Sequence, residues 1–183
     1  REALIAWQNM GIVTRNKKAG TRLATEVWSH SIHMPLTLKL EAESLLRTHA
    51  VRRPLEIEAV RVAARNVTEQ QARLITARVA ELMAVYEAGE DWRDADRRFH
   101  TAIHDASGNP LFEQLIHQIQ EAFNAIYEAP FGQPHLGQVT IPLHPALAQA
   151  VVASDGKAAA EIMEKIMDMV EAEVRHIMEG QDV

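Results

Sequence analysis

Residues 94–110 read DADRRFHTAIHDASGNP, and this stretch sets the interpretation of the rest of the chain. Asp96, His100 and His104 stand four residues apart, so on an α-helix their side chains leave one face. Such a face has three interpretations: a set of metal ligands, a catalytic dipeptide formed by His104 and Asp105, or the polar side of an ordinary helix. The SGNP sequence that closes the stretch is typical of a helix end.

Helical periodicity continues on both sides of this stretch. Pro54 marks either the first turn of a new helix or a kink, because proline removes one backbone donor. Thr68 and Gln71 form a capping box that starts the next helix. The predicted helices cover 36–53, 54–66, 68–89, 91–107, 111–127, 144–154 and 157–179. The pattern therefore predicts a mainly α fold, an antiparallel bundle of six or seven helices.

The first 25 residues follow a different pattern. REALIAWQNMG (1–11) predicts a short helix, and IVTR (12–15) and TRLA (21–24) predict two strands joined by NKKAG. A helix followed by a basic hairpin is the second half of a winged helix-turn-helix. Its first half is expected upstream of Arg1, because the chain opens in mid-pattern without an initiator methionine and is expected to be a fragment or to lack its first residues.

Charge and composition restrict the function classes. Residues 1–25 carry five cationic side chains against Glu2 alone, a net charge of +4. Because the whole chain has a net charge of −6, the other 158 residues have a net charge of −10. A basic N-terminal segment (residues 1–25, called the basic head) followed by an acidic remainder suggests a polyanionic partner. Chance clustering of five cations is the alternative explanation. The chain has no cysteine, which excludes disulfides, thiolate zinc sites and thiol nucleophiles. The lack of cysteine fits a reducing cytoplasm, and no apolar run has the length of a membrane span, so we expect a cytoplasmic protein.

Four segments in order carry a resemblance. DRRFHTAIHDASGNP (96–110) and LHPALAQAVVASDGKAAAEIM (143–163), with VRRPLEIEAVRVAARNVT (51–68) before them, resemble the effector-binding (FCD) domain of FadR-type GntR-family transcription regulators. REALIAWQNMGIVTRNKKAGTRLA (1–24) resembles the end of that family's recognition helix and its wing.

The resemblance implies a ligand-responsive DNA-binding regulator, a homodimer and not an enzyme, whose helical domain binds a small effector that is commonly a carboxylate. Many relatives also hold a divalent metal (Zn, Ni or Mn) through one Asp and three His. The implied domains are a partial winged helix-turn-helix (1–25), a linker or first helix (26–47) and a helical effector-binding domain (48–180).

The resemblance also implies a ligand set. Asp96 and His100 match the first two metal ligands, and side chains at i and i+4 lie about 6 Å apart on one helix face. His144 matches the third ligand. The fourth position is Ile166, which belongs to an apolar stripe and is expected to face the bundle interior. Either three ligands still hold a metal, with water or an effector carboxylate completing the shell, or the metal is lost and the polar residues bind each other or the effector.

Other polar residues have competing interpretations. Arg52 matches an arginine that faces the effector cavity in several relatives, where it can bind a carboxylate through paired N–H donors. The alternative is a surface ion pair with Glu56, worth about 0.3–0.5 kcal/mol. His104 is expected to be partly exposed, and His176 is expected at the surface.

At the head, Lys17, Lys18 and Arg22 are expected to meet DNA phosphates, and Arg1 to approach the backbone or a base edge. A solvated hairpin with no partner is the alternative.

Two other functions fit parts of the sequence. An HD-type metal-dependent phosphohydrolase would use His104 and Asp105, and it needs a further upstream histidine such as His33 or His49. It leaves the basic head unexplained. A dimerisation bundle without any ligand is the third alternative.

Overall fold

The structure is a computed structural model. It describes the backbone of residues 13–16, 20–23, 42–127 and 136–179, and the side chains of residues 45–121 and 136–176. The chain divides into two compact units, Arg1–Leu36 and Thr37–Val183.

The first unit contains a two-stranded antiparallel hairpin. Strand β1 is Val13–Asn16 and strand β2 is Gly20–Leu23, with Val13 opposite Leu23 and Asn16 opposite Gly20. The hairpin lies where the alternation of the sequence predicts it, with each strand displaced by one residue. The helix predicted over 1–11 lies outside the described residues.

The second unit is helical, as the apolar periodicity predicts. Its described part contains six α-helices and one 3-10 helix. They are α1 (Ala42–Asn66), α2 (Glu69–Glu87), α3 (Arg93–Ala106), α4 (Pro110–Tyr127), the 3-10 helix (Gln138–Leu143), α5 (His144–Val152) and α6 (Gly156–Glu179).

Local sequence explains two of the helix boundaries. Thr68 accepts a hydrogen bond from the backbone N–H of Gln71, whose side chain accepts one from the backbone of Thr68, so the predicted capping box is confirmed. After α3, Gly108 adopts φ +74°, a left-handed conformation that glycine takes without strain. Pro54 does not start a new helix: it lies inside α1, which is continuous from Ala42 to Asn66. This helix packs along α6.

The core lies where one face of each helix meets the others. Phe99 and Ile103 of α3 are fully buried, and α3 packs against α1, α2 and α4. Burial of a large apolar side chain contributes about 1.5–3 kcal/mol, so this face fixes the rotation of α3 about its axis. With the apolar face inward, Asp96 and His100 at its edge border a cavity between the helices.

Candidate functional site

The cavity has a volume of about 440 Å³. Helices α1, α3, α4 and α6 line it, together with the 3-10 helix and the start of α5. Its inner end is polar and buried. The polar side chains there are Arg52, Glu56, Asp96, His100, Thr101, His104, Glu113 and His144.

Three candidate ligand atoms meet in this cavity. Asp96 and His100 lie one turn apart on α3, and His144 is the first residue of α5. The Nε2 atom of His144 lies 2.9 Å from Oδ1 of Asp96 and 3.0 Å from Nε2 of His100. Nε2 of His100 lies 3.5 Å from the same Asp96 oxygen. The structure thus brings together the three residues that the resemblance implied.

The 3-10 helix fixes the orientation of His144. The Nδ1–H group of this ring points at the backbone carbonyl oxygens of Thr140 (3.0 Å) and Ile141 (3.1 Å). A proton on Nδ1 leaves the lone pair on Nε2, which faces Asp96 and His100. Metal-binding histidines commonly use the N–H group of their other ring nitrogen to donate a hydrogen bond to a carbonyl oxygen in this way.

The donor set fits a divalent cation. Two nitrogens bound to one ion at about 2.0–2.1 Å lie about 3 Å apart, close to the separation of the two Nε2 atoms. Oδ1 of Asp96 and Nδ1 of His100 are buried and make no hydrogen bond to the described residues. A cation would satisfy the Asp96 oxygen.

The charge state of Asp96 agrees with a ligand role. Burial raises the pKa of its carboxyl, but the neighbouring His100 and His144 outweigh this and hold the pKa below its ordinary value. Burial lowers the pKa of His144, and the Asp96 carboxylate outweighs that effect and raises it. Asp96 is therefore ionised at neutral pH.

Ile166 faces the same cavity and is 4% exposed, so the expectation that it points inward is confirmed. It provides no lone pair, and the other residues of α6 that line the cavity (Met163, Met167 and Val170) are also apolar. Among the described residues the cluster therefore offers three protein ligands, which suits a site whose remaining positions are open to small molecules.

A second polar cluster surrounds His104. The expectation that His104 is partly exposed is wrong, because its side chain is 3% exposed. Its Nε2–H donates to Glu56 (2.9 Å) and its Nδ1–H donates to Glu113 (2.8 Å). Burial lowers the pKa of His104, but the two carboxylates outweigh it and raise the pKa to about 9. His104 is thus an imidazolium held between two carboxylates.

Glu56 joins this cluster to Arg52. The carboxylate of Glu56 is fully buried, and its Oε1 accepts hydrogen bonds from Nε (2.8 Å) and Nη2 (2.7 Å) of Arg52. Burial raises the pKa of Glu56, and Arg52 and His104 together bring it well below its ordinary value. The Arg52–Glu56 pair therefore exists, but it is not the surface pair considered from the sequence, because Glu56 is in the core.

The role of Glu56 was not predicted from the sequence. Glu56 lies on the buried stripe of α1 with Leu45, His49, Val60 and Ala63. This i, i+4, i+7 spacing was the available signal, because a glutamate on an otherwise apolar stripe must find cationic partners.

Glu56, His100 and His104 also have ligand atoms within 4.8 Å of one another, as do Asp96, His100 and His144. However, both nitrogens of His104 donate to carboxylates, so this ring has no lone pair for a metal. The better candidate is the Asp96–His100–His144 cluster, which we call the three-ligand cluster.

The geometry gives no support to an HD-type phosphohydrolase. Asp105 is exposed and belongs to neither group of candidate ligands, and His33 lies outside the described residues. His49 is buried in α1 and also belongs to neither group. His176 is exposed, as expected.

The residues predicted to contact DNA are only partly described. Arg22 lies on β2, but its side chain is outside the described residues, as are Arg1, Lys17 and Lys18. Among the described helices, none combines the length and the hydropathy needed to cross a membrane.

Comparisons with known proteins agree with this architecture. The FCD domain matches residues 47–169. The HTH-type transcriptional regulator LutR of Bacillus subtilis (strain 168) is 34% identical over 121 residues, 65% of this chain and 55% of LutR. The HTH-type transcriptional regulator YieP of Escherichia coli (strain K12) is 28% identical over 167 residues, 87% of this chain and 71% of YieP. The chain thus spans only about half the length of LutR.

Solved structures show the same fold at low identity. Streptococcus agalactiae GntR superposes with a TM-score of 0.66 at 20% identity, covering 94% of this chain and 80% of that one. E. coli McbR/YncC superposes with a TM-score of 0.62 at 21% identity, covering 96% of this chain and 78% of that one.

Proposed function

Because the chain belongs to the FCD-domain family of GntR-type transcription regulators, we propose that it is part of a ligand-responsive regulator whose helical domain senses a small effector. The observation that carries this proposal is the convergence of Asp96, His100 and His144 at a cavity of about 440 Å³. Effector sites are concave, with a few convergent polar groups that fix the orientation of the ligand.

We propose that the three-ligand cluster holds one divalent cation (Zn, Ni or Mn). When bound, the cation supplies positive charge and open coordination positions for an anionic oxygen. Asp96 provides the negative charge that a divalent ion requires. His144 is held in the ligating tautomer by the carbonyl oxygens of Thr140 and Ile141.

We propose that the effector is a carboxylate. Its oxygen would take a position next to His100 and His144, where a cation offsets the charge of Asp96. Arg52 lines the same cavity and adds a guanidinium, a group that binds carboxylates through paired N–H donors. Its hydrogen bonds to Glu56 hold the guanidinium in place on α1.

Effector binding is proposed to act on DNA through a homodimer. The N-terminal unit would supply the DNA contacts, with Lys17, Lys18 and Arg22 at phosphates and Arg1 at the backbone or a base edge. An effector that binds one arrangement of the dimer better than another changes operator affinity, and such coupling typically amounts to about 1–3 kcal/mol.

A thermal-shift screen of the full chain tests the proposal. Each member of a carboxylate panel is added with Mn²⁺, Ni²⁺ or Zn²⁺, and again with a chelator. We expect at least one acid to raise the Tm in the presence of metal. His144→Ala should abolish the response, whereas His176→Ala, which changes an exposed histidine, should retain it. No response to any acid, with or without metal, would refute the effector role of the cavity.

A further inference from the structure

The cavity has two chemically different walls. One wall is formed by the polar side chains of α1, α3 and α4 described above. The other wall, which we call the α6 stripe, consists of Met163, Ile166, Met167 and Val170. These residues recur at helical spacing on α6, so they form one continuous apolar surface. No polar side chain interrupts the stripe between Met163 and Val170 on the cavity side.

Most groups of the polar wall are already occupied by one another. Glu56 binds Arg52 and His104, and Glu113 binds His104 and Thr101. The Thr101 hydroxyl donates to Glu113 over 3.1 Å. Two cations and two anions make this network electrically neutral. The exposed Arg93 and Arg97, which also line the cavity, pair with Asp91 and Asp94.

The three-ligand cluster differs from this network. Oδ1 of Asp96 and Nδ1 of His100 are buried without a hydrogen bond in the described part of the chain. A carboxylate therefore finds its polar anchor at this cluster, together with the guanidinium of Arg52, and the rest of the ligand finds an apolar surface on α6. A second carboxylate on the ligand would lie against the α6 stripe or among charged groups that already pair with one another, and burying an unpaired charge there is costly.

We infer that the effector is a monocarboxylate with an apolar body, a straight-chain, branched or aryl acid. Its carboxylate lies at the three-ligand cluster and its body covers the α6 stripe. This inference rests on the proposed function and narrows its ligand class, because it excludes small di- and tricarboxylates as preferred effectors. The cavity volume of about 440 Å³ is ample for a carbon chain of this kind.

A chain-length series measures the contribution of the α6 stripe. The dissociation constants of butyrate, hexanoate and succinate are measured by calorimetry on the full chain with Mn²⁺ present. Each buried methylene contributes about 0.8 kcal/mol, which is about fourfold in Kd, so hexanoate should bind about 15-fold more tightly than butyrate. Succinate, with the carbon count of butyrate but a second charge, should bind at least about tenfold more weakly than butyrate.

Substitutions in the α6 stripe locate the effect. The ratio of butyrate to hexanoate Kd is the quantity compared, because a general loss of anchoring or stability affects both acids alike. Ile166→Thr should reduce the ratio to less than about fourfold, and Val170→Thr, at a less buried position, should reduce it in the same direction. Ile162→Thr is the matched control, since Ile162 lies on α6 outside the cavity lining, and it should leave the ratio unchanged.

The outcomes separate this inference from the proposed function. If succinate or citrate binds more tightly than butyrate, or if affinity does not depend on chain length, the inference is wrong while the carboxylate site stands. If none of the monocarboxylates, dicarboxylates or tricarboxylates binds, both the inference and the proposed carboxylate site are wrong.

Discussion

The Nε2 atoms of His100 and His144 lie 3.0 Å apart, although 44 residues separate the two histidines in the chain. His100 reaches this point from the middle of α3, and His144 reaches it because the 3-10 helix ends directly before α5. Carbonyl oxygens hold the other nitrogen of His144, so both Nε2 atoms face Asp96. Several properties of the protein are expected to follow from this cluster and from the network beside it.

Removal of the Glu56 carboxylate is expected to destabilise the domain strongly. Glu56→Ala leaves Arg52 and the buried His104 without their shared partner, and breaking such a pair costs about 3–5 kcal/mol. Glu58→Ala is the matched control, because the Glu58 side chain is partly exposed (43%) and pairs with Arg61 near the surface, so its loss should cost less than about 1 kcal/mol. Urea denaturation measures both free energies of unfolding, and similar values for the two variants would contradict the assignment of Glu56 to the core.

The stability of the metal-free protein is expected to fall as the pH rises from about 6.5 to 9. His104 has its pKa raised to about 9 in the folded protein from 6.5, so its protonated form stabilises the fold below pH 6.5 and this stabilisation is lost towards pH 9. His144, whose pKa is also raised, contributes in the same direction. Denaturation in the presence of a chelator measures the slope, which His104→Gln should reduce. An equal slope in that variant would show that His104 does not carry the charge.

His49 is expected to have the opposite pH dependence. It is 1% exposed, and neither ring nitrogen makes a well-formed hydrogen bond to the described residues; a weak contact with the backbone of Met167 offsets the burial in part. Burial and the nearby Arg52 lower its pKa below 6.5, so the unfolded chain binds the proton more readily and stability falls as the pH drops below 6.5.

His49→Leu should therefore raise the free energy of unfolding by about 1–2 kcal/mol at pH 7. It should also reduce the loss of stability that occurs as the pH drops below 6.5. The exposed His117→Leu serves as the control and should change the unfolding free energy at pH 7 by less than about 0.5 kcal/mol. If His49→Leu destabilises the protein at every pH, the histidine makes a stabilising hydrogen bond in the folded protein and the expectation is wrong.

The basic head is expected to bind DNA in a salt-dependent manner. If Lys17 and Lys18 each contact a phosphate, Lys17→Ala or Lys18→Ala should reduce the slope of log K against log salt concentration by about 1. Either substitution should weaken binding to all DNA sequences by a similar factor. Lys157→Ala, which changes an exposed cation of α6, should leave the slope unchanged. Gel-shift titration over a range of salt concentrations gives these slopes, and a flat salt dependence of the unmodified protein would exclude phosphate contacts.

The sequence predicted what depends on local periodicity. The helices, the Thr68 capping box and the common face of Asp96 and His100 all follow from spacing along one element. The hairpin was also predicted, with each strand displaced by one residue, because strand ends are weakly marked in sequence.

The network beside the cluster could not be predicted in the same way. His104 was expected to be partly exposed, because its two partners are invisible from helix spacing. Glu56 lies 48 residues earlier on α1, and Glu113 lies on α4. Only the packing of α1 and α4 against α3 brings these carboxylates to the ring. His144 likewise depends on a long-range contact, and it was assigned from family resemblance and not from spacing.

Metal stoichiometry decides whether the three-ligand cluster binds a divalent cation. The full chain is loaded with Zn²⁺, Ni²⁺ or Mn²⁺, dialysed, and analysed for bound metal per chain. We expect one equivalent of at least one metal in the unmodified protein and in His117→Ala, and strong loss of that metal in His144→Ala and Asp96→Asn. No bound metal in the unmodified protein, or a full equivalent in both ligand variants, would contradict the claim that Asp96, His100 and His144 form a divalent metal site.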